Sequence, residues 1–349
     1  MANNPYIDKA VIDGVTYDIR AANGTPVISG YGGNDLSEEF ENAAELHAAI
    51  AAGDFSKIRV GDFWPITLSG SYKNFAKYTV PAGTTYYTEA SLTNNAGTTE
   101  AAMAGYYQSA TAVKITISGT DYFVSINDCS LGYTETLNNA IMKMEVAAIN
   151  PYIQHGDTAL TAQHVLFCSR DCLPPTLMMR AANAVWHDTA AVNPWLGSAL
   201  YATLNDETDG IIKLVEATDL GQYLFKGPQS KGMRAMLPTM ASGAAAPTSW
   251  AWNNRGKLFL PTEREVYGAP AWGDKGGYEA GNLYNQWPIF AGSARHIMKG
   301  AGNGGGRCHW WLETATAATA FAAVDTNGTA TNGYAAYTAI RVPLCFLVT

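Results

Sequence analysis

Arg307-Cys308-His309-Trp310-Trp311-Leu312-Glu313 and, further on, Ile340-Arg341-Val342-Pro343-Leu344-Cys345-Phe346 are the two apolar phrases on which the reading of this fold turns. Adjacent tryptophans followed by leucine read as a buried strand, and so does the apolar run over residues 342–348. Between them, residues 314–339 are almost free of large aliphatic side chains, and a glycine-rich stretch over 300–306 precedes them. A strand pair holding a small-residue, irregular surface is a common way to build a binding site. The C-terminal region therefore predicts recognition rather than chemistry.

Composition points the same way. Only 15% of the 349 residues are charged and 34 are glycine, a loop-rich, sheet-leaning balance and not that of a helical bundle. Nine Trp and 19 Tyr supply ample core material. A net charge of −8 without a Lys/Arg cluster argues against a nucleic-acid partner. No apolar run reaches bilayer-spanning length and the N-terminus carries no secretory pattern, so membrane insertion is not expected. Of the five cysteines, Cys168 and Cys172 have half the spacing of a zinc site, but the other half is missing. The expectation is free buried thiols and no metal.

Along the chain, alternation on both sides of Asp13-Gly14 predicts an N-terminal hairpin. A pair this small is marginal alone and must dock on something. A linker follows, then a helix from Ser37 to about Gly53, and a buried strand set over 55–68. Residues 71–112 read as a long loop or an inserted small β unit. A second hairpin is expected around Ser118-Gly119-Thr120-Asp121, a helix over 137–149 and a short strand over 164–167. Helical spacing runs from Leu196 to Tyr223, and a strand over 257–260 leads into a helical turn at 263–268.

Catalytic motifs are absent: there is no H-E-x-x-H, G-x-S-x-G or Walker loop. Gly300-Ala301-Gly302-Asn303-Gly304-Gly305 matches a dinucleotide fingerprint in letters only, because a strand and not a helix follows it. Glu263 and Glu265 are expected to be a surface or helix-capping cluster and not an acid/base pair. No cofactor is expected. Small polar and aromatic residues are what adaptable binding loops use. The ligand-binding candidates are His309, Asp325, Asn332, Tyr334 and Tyr337, with Trp311 buried beneath them.

The order of several phrases resembles a group of bacteriophage virion proteins that carry a C-terminal C-type-lectin-like domain. The phrases are Ala52-Gly53-Asp54-Phe55 with Val60-Gly61-Asp62-Phe63-Trp64, residues 257–267, Trp310-Trp311-Leu312, and Ile340-Arg341-Val342-Pro343-Leu344. Ile12-Asp13-Gly14-Val15-Thr16-Tyr17-Asp18-Ile19-Arg20 lies within a segment similar to the opening of tail and head-fibre proteins. The resemblance implies an α+β, C-type-lectin-like mixed domain, loop-rich, with a short N-terminal β-hairpin attachment segment. It divides the chain into an attachment segment at 1–25, a linker at 26–36, and the lectin-like domain at 37–349 with an insertion at about 71–112. It implies a virion-surface location, contact with other virion proteins through the N-terminal segment, recognition of a host surface glycan or protein, and a homotrimer. The alternative is a capsid decoration or head-fibre protein without a specific ligand. Two departures stand out. Calcium-ligating Glu-Pro-Asn, Gln-Pro-Asp and Trp-Asn-Asp triplets are missing, and Glu313 stands where the family places arginine after Trp-Trp-Leu, so that arginine's ion pair is absent or reversed.

Overall fold

The computed structural model describes residues 9–12, 15–18, 33–158, 160–180, 194–233, 250–269, 271–272, 286–291, 294–317, 320–335 and 338–349. At the N-terminus, β1 (Lys9–Ile12) and β2 (Val15–Asp18) form the hairpin that flanks Asp13-Gly14, in register from Ile12↔Val15 to Lys9↔Asp18. Two short helices follow, α1 (Leu36–Glu39) and α2 (Ala43–Ala52). The Asn42 side chain accepts the Glu45 N–H at 3.0 Å to start α2, and Gly53, left-handed at φ 73°, ends it.

The frame is a ribbon of two very long strands, β3 (Phe63–Val80) and, after five shorter strands, β9 (Ser130–Ile149). The intervening strands are β4 (Thr85–Tyr87), β5 (Asn95–Thr98), β6 (Met103–Tyr107), β7 (Ala112–Ile117) and β8 (Thr120–Ser125). Beyond the ribbon come β10 (Val165–Ser169), β11 (Gln229–Met233), β12 (Trp250–Asn254), β13 (Trp310–Ala317), β14 (Ala320–Val324), β15 (Ala330–Ala335) and β16 (Cys345–Val348). Nine of these make one antiparallel sheet in the order β16-β10-β9-β3-β6-β7-β8-β4-β5. A second sheet, β13-β14-β15, and the hairpin β11-β12 complete the set.

This corrects the expected α+β, loop-rich, C-type-lectin-like domain: the chain is mainly β, organised on a nine-stranded antiparallel sheet, with helices of ten residues or fewer among the described residues. The helix expected over 137–149 is the body half of β9. Its Met, Lys, Glu and Ala are good helix formers, but Ala140, Met142, Met144 and Val146 alternate inward, opposite Leu68, Ile66 and Trp64 of β3. Pairing along a long partner strand overrides local propensity. Gly70 marks a register break in the ribbon at φ 134°, and a Cβ there would lie 2.8 Å from Leu214 of the helix α4 described next.

Helices α3 (Ala199–Asn205), α4 (Ile212–Glu216) and α5 (Glu263–Tyr267) are all short. The first two fall in the stretch with helical spacing and pack on β3. The main core gathers Trp64, Ile66, Met142, Val146, Phe167, Trp195, Phe259, Trp311, Phe346 and their neighbours. Past Ala76 the ribbon leaves that core. Glu135 braces the crossing point by accepting from Tyr72 Oη (2.6 Å), Lys77 Nζ (2.5 Å) and Asn74 Nδ2 (3.3 Å). Burial raises the Glu135 carboxyl, but these donors outweigh it and hold the group below its ordinary value. Beyond the brace, β6, β7, β8, β4 and β5 wrap a second, smaller core of Val80, Val113, Ile115 and Val124. No helix among the described residues is long and apolar enough to cross a membrane.

Candidate functional site

The C-terminal candidate surface is built on β13, β14 and β15. Trp310, Trp311 and Leu312 of β13 and Phe321 to Val324 of β14 are buried, so the two strands form a rigid base. Trp311 donates its indole N–H to Leu177 O at 2.9 Å and meets Phe321 edge-on at 6.4 Å. The tract over 314–339 is thus largely sheet, and its centre is core: alanine and threonine are small enough to pack between the tryptophans and the rest of the body.

The register Trp310↔Val324 places His309 beside Asp325 at one end of this sheet. His309 is half-buried and its carbonyl accepts Arg341 N–H at 3.1 Å. The Asp325 carboxylate closes the β14–β15 turn by accepting the Asn327 and Thr329 N–H groups, each at 2.8 Å. Asp325 is therefore committed to shaping the turn. Asn332 and Tyr334 lie on β15, with Tyr334 opposite Phe321, about 10 Å along the strand from the turn. Tyr337 lies outside the described residues. The register sets His309 and Asp325 at the same end of the sheet and leaves Tyr334 further along it.

Sequence reasoning missed two side chains that hold the turn. Tyr267 Oη donates to Gly328 O at 3.1 Å and Trp272 Nε1 to Ala330 O at 3.0 Å. Trp272 is itself fixed by Glu263, which accepts its N–H at 3.0 Å. Nothing local in the sequence marks these partners, which lie 61 and 58 positions from the groups they bind. The 300–306 loop is a tight turn: Ala301 N–H meets Gly306 O, and the peptides of Gly300 and Arg307 bridge. Its tip is exposed at 303–307.

Beneath the sheet lies a buried ionic cluster. The Arg255 guanidinium, wholly shielded from solvent, donates Nε–H to Glu313 at 2.7 Å and forks onto Glu265 at 2.8 and 3.0 Å. It also reaches Tyr152 Oη at 3.3 Å and the Leu260 carbonyl, and it stacks 4.7 Å from the Phe259 ring centroid. Burial works against the guanidinium, and Glu265 and Glu313 more than offset it, so it stays charged. Burial pushes the Glu313 carboxyl up to about 7, against the pull of Arg255. The acid of this pair stands on β13 and the arginine on the segment after β12.

Glu265 also completes a capping box with Thr262 at the start of α5. The helix-capping expectation holds for Glu265, but both Glu263 and Glu265 are buried and not on the surface. Every oxygen of this pair is bonded to the protein's own groups, which makes it a brace and not an acid/base pair.

A third cluster surrounds Lys299, whose ammonium is buried and donates to Ser169 O. Burial depresses the ammonium, but Cys168, Cys172, Cys345 and Glu145 outweigh it and hold its pKa above the ordinary value. Cys168 and Cys345 are register partners on β10 and β16, with their sulfurs 3.1 Å apart. All five cysteines are free; Cys168, Cys172 and Cys345 are buried, whereas Cys129 and Cys308 are half-buried. Among the described residues no three metal-ligating side chains converge.

Two comparisons with known proteins are negative: no curated protein and no solved structure matches the chain. A family described as a domain of unknown function, DUF6273, matches residues 156–348. That span runs from just before β10 to β16, so it contains the C-terminal sheet, Arg255 with Glu265 and Glu313, and Lys299 with its three cysteines, and leaves Tyr152, Glu145, the ribbon and its distal strands outside. The chain belongs to the DUF6273 family.

Proposed function

We propose that this chain is a bacteriophage virion surface protein. It displays a binding unit towards a host or mucosal surface and is seated on the particle by the hairpin β1–β2. The observation that carries this reading is the ribbon. β3 and β9 are 18 and 20 residues long; they run through the main core as far as Ala76, and their far ends carry a second core beyond the Glu135 brace. Carrying a small, separately packed unit on the end of a stiff ribbon serves presentation. The N-terminal segment's resemblance to tail and head-fibre openings supports the seat, and the bonded state of the buried carboxylates supports binding over catalysis.

One observation favours a second reading, that of a capsid decoration protein without a specific ligand. Leu131 and Ile141, 54% and 63% exposed, both lie on β9 and would pack against a neighbouring copy or a capsid protein. A homotrimer fits either reading, since multiple copies give avidity. The test is flow cytometry of fluorescently labelled full chain on the host bacterium and on mucin-coated beads. Saturable binding supports display. Its absence, with normal incorporation of the chain into particles, favours decoration.

A further inference from the structure

The distal unit contains a groove of about 430 Å³, within the usual range for small-molecule sites. One wall is the connection between β5 and β6, the other the tip of the β7–β8 hairpin, where Ser118 and Gly119 take the left-handed conformation at φ 50° and 82°. Tyr86, Met103 and Ile117 contribute apolar surface; Thr98, Glu100 and Ser118 contribute polar groups. Tyr86 is fixed in place. Its ring lies across Gly97, where a Cβ would sit 2.7 Å from the phenol oxygen, and it tilts against Tyr122 at 4.8 Å.

Several polar side chains of this unit are spent on its own groups, two of them in the groove wall. Thr99 donates to Pro81 O at 2.6 Å and accepts Thr84 N–H at 3.0 Å. Thr116 donates to Asp121 at 2.7 Å, and Lys114 pairs with the same carboxylate at 3.1 Å. Four other groups of the groove are open: the hydroxyls of Tyr86, Thr98 and Ser118 and the carboxylate of Glu100 make no hydrogen bond or ion pair with any described residue.

We infer that this groove, on the β5–β6 connection and the β7–β8 tip, binds the end of a neutral, hydroxyl-rich oligosaccharide. The inference rests on the display reading and names its ligand class and its site. Sugar rings present C–H patches to aromatic and aliphatic surface while offering hydroxyl donors at the edge. The Tyr86 ring with Met103 and Ile117 suits the former. The Glu100 carboxylate, an acceptor with two oxygens, suits a pair of adjacent hydroxyls. The hydroxyls of Thr98, Ser118 and Tyr86 both donate and accept, which matches a ligand that does the same. An acidic ligand is disfavoured, because no basic residue lines the groove, Glu100 repels anions, and the chain carries −8 overall.

The test uses full chain, ligand-observed NMR and a panel of glucose-, galactose-, mannose- and N-acetylglucosamine-terminated oligosaccharides. A sialic-acid-terminated probe is the anionic comparator. The expected result is binding of at least one neutral probe and weaker binding of the sialylated one. Glu100→Gln should weaken the neutral probe at least tenfold, and Ala102→Trp, which fills the groove from an exposed position, should abolish binding, both at unchanged melting temperature. If a probe binds these variants as it binds the native chain, the groove assignment is overturned and the display reading stands. If the groove variants lose cell binding while no probe binds, the sugar class is overturned. A native chain that binds neither probes nor cells overturns both the display reading and the inference.

Discussion

Replacing Arg255 by methionine removes the charge that two buried carboxylates share while keeping most of the side-chain volume. Arg255 makes three charge-assisted contacts of 2.7, 2.8 and 3.0 Å with Glu313 and Glu265, and it is wholly shielded from water. Breaking a buried pair by removing one partner costs about 3–5 kcal/mol, because the remaining charge is left without solvent or counter-ion. At about 2.1 cal/mol/K per residue, a chain of this length has an unfolding entropy near ~0.7 kcal/mol/K. The expected fall in melting temperature is therefore about 4–7 °C. Urea unfolding followed by tryptophan fluorescence is the assay, since Trp195 hydrogen-bonds the Arg255 carbonyl at 2.8 Å and reports on the cluster. Glu265→Gln added to Arg255→Met should recover part of the loss by removing the stranded charge, since burial keeps Glu313 protonated once Arg255 is gone. A single variant that loses less than about 1 kcal/mol, or a double variant no more stable than the single, would refute the cluster as a brace.

Glu313 gives a pH signature of opposite sense to the usual carboxylate. Its folded value of about 7 lies above the ordinary 4.5, so its contribution is full below 4.5 and is lost as pH rises through 7, by up to about 3 kcal/mol. Urea titrations from pH 4 to 8 should show this fall in native chain and not in Glu313→Gln; an identical profile in both would exclude the assignment. Trp311→Ala, in the base of the C-terminal sheet, should cost about 3–5 kcal/mol, and a loss under 1 kcal/mol would mean the strand is not core. Diamide should oxidise the Cys168 and Cys345 thiols to a disulfide while being reduced to its hydrazine, closing a loop of 177 positions. In the chain-entropy account this raises stability by about 5 kcal/mol, and intact thiols by mass spectrometry after treatment would count against the pairing.

Features set by adjacent residues were legible in the sequence. The hairpins at Asp13-Gly14 and around 118–121, the end of α2 at Gly53 and the buried Trp310-Trp311 strand all follow from turn chemistry or local apolar runs. The architecture was less legible. Residues 137–149 carry helix formers, and pairing with the distant strands Phe63–Val80 and Val165–Ser169 makes them β. The small residues of 314–339 have little hydrophobic period, so their sheet could not be seen as one. The Arg255 partners lie 10, 58 and 103 positions away, and the Glu135 brace spans about 60, separations that no local pattern records. The lectin-like expectation failed for the same reason: short phrases in order constrain turns and strand ends but not the sheet that joins them.

We propose above that this chain stands on a virion surface and presents a binding unit outward. Immunogold electron microscopy of purified virions with an antibody against this chain, alongside particles whose copy lacks residues 1–25, tests it most directly. The account predicts label on the outside of native particles and none on particles carrying the truncated chain, although that chain remains folded and soluble. Absence of label from intact native virions, or normal labelling of the truncated form, would contradict it.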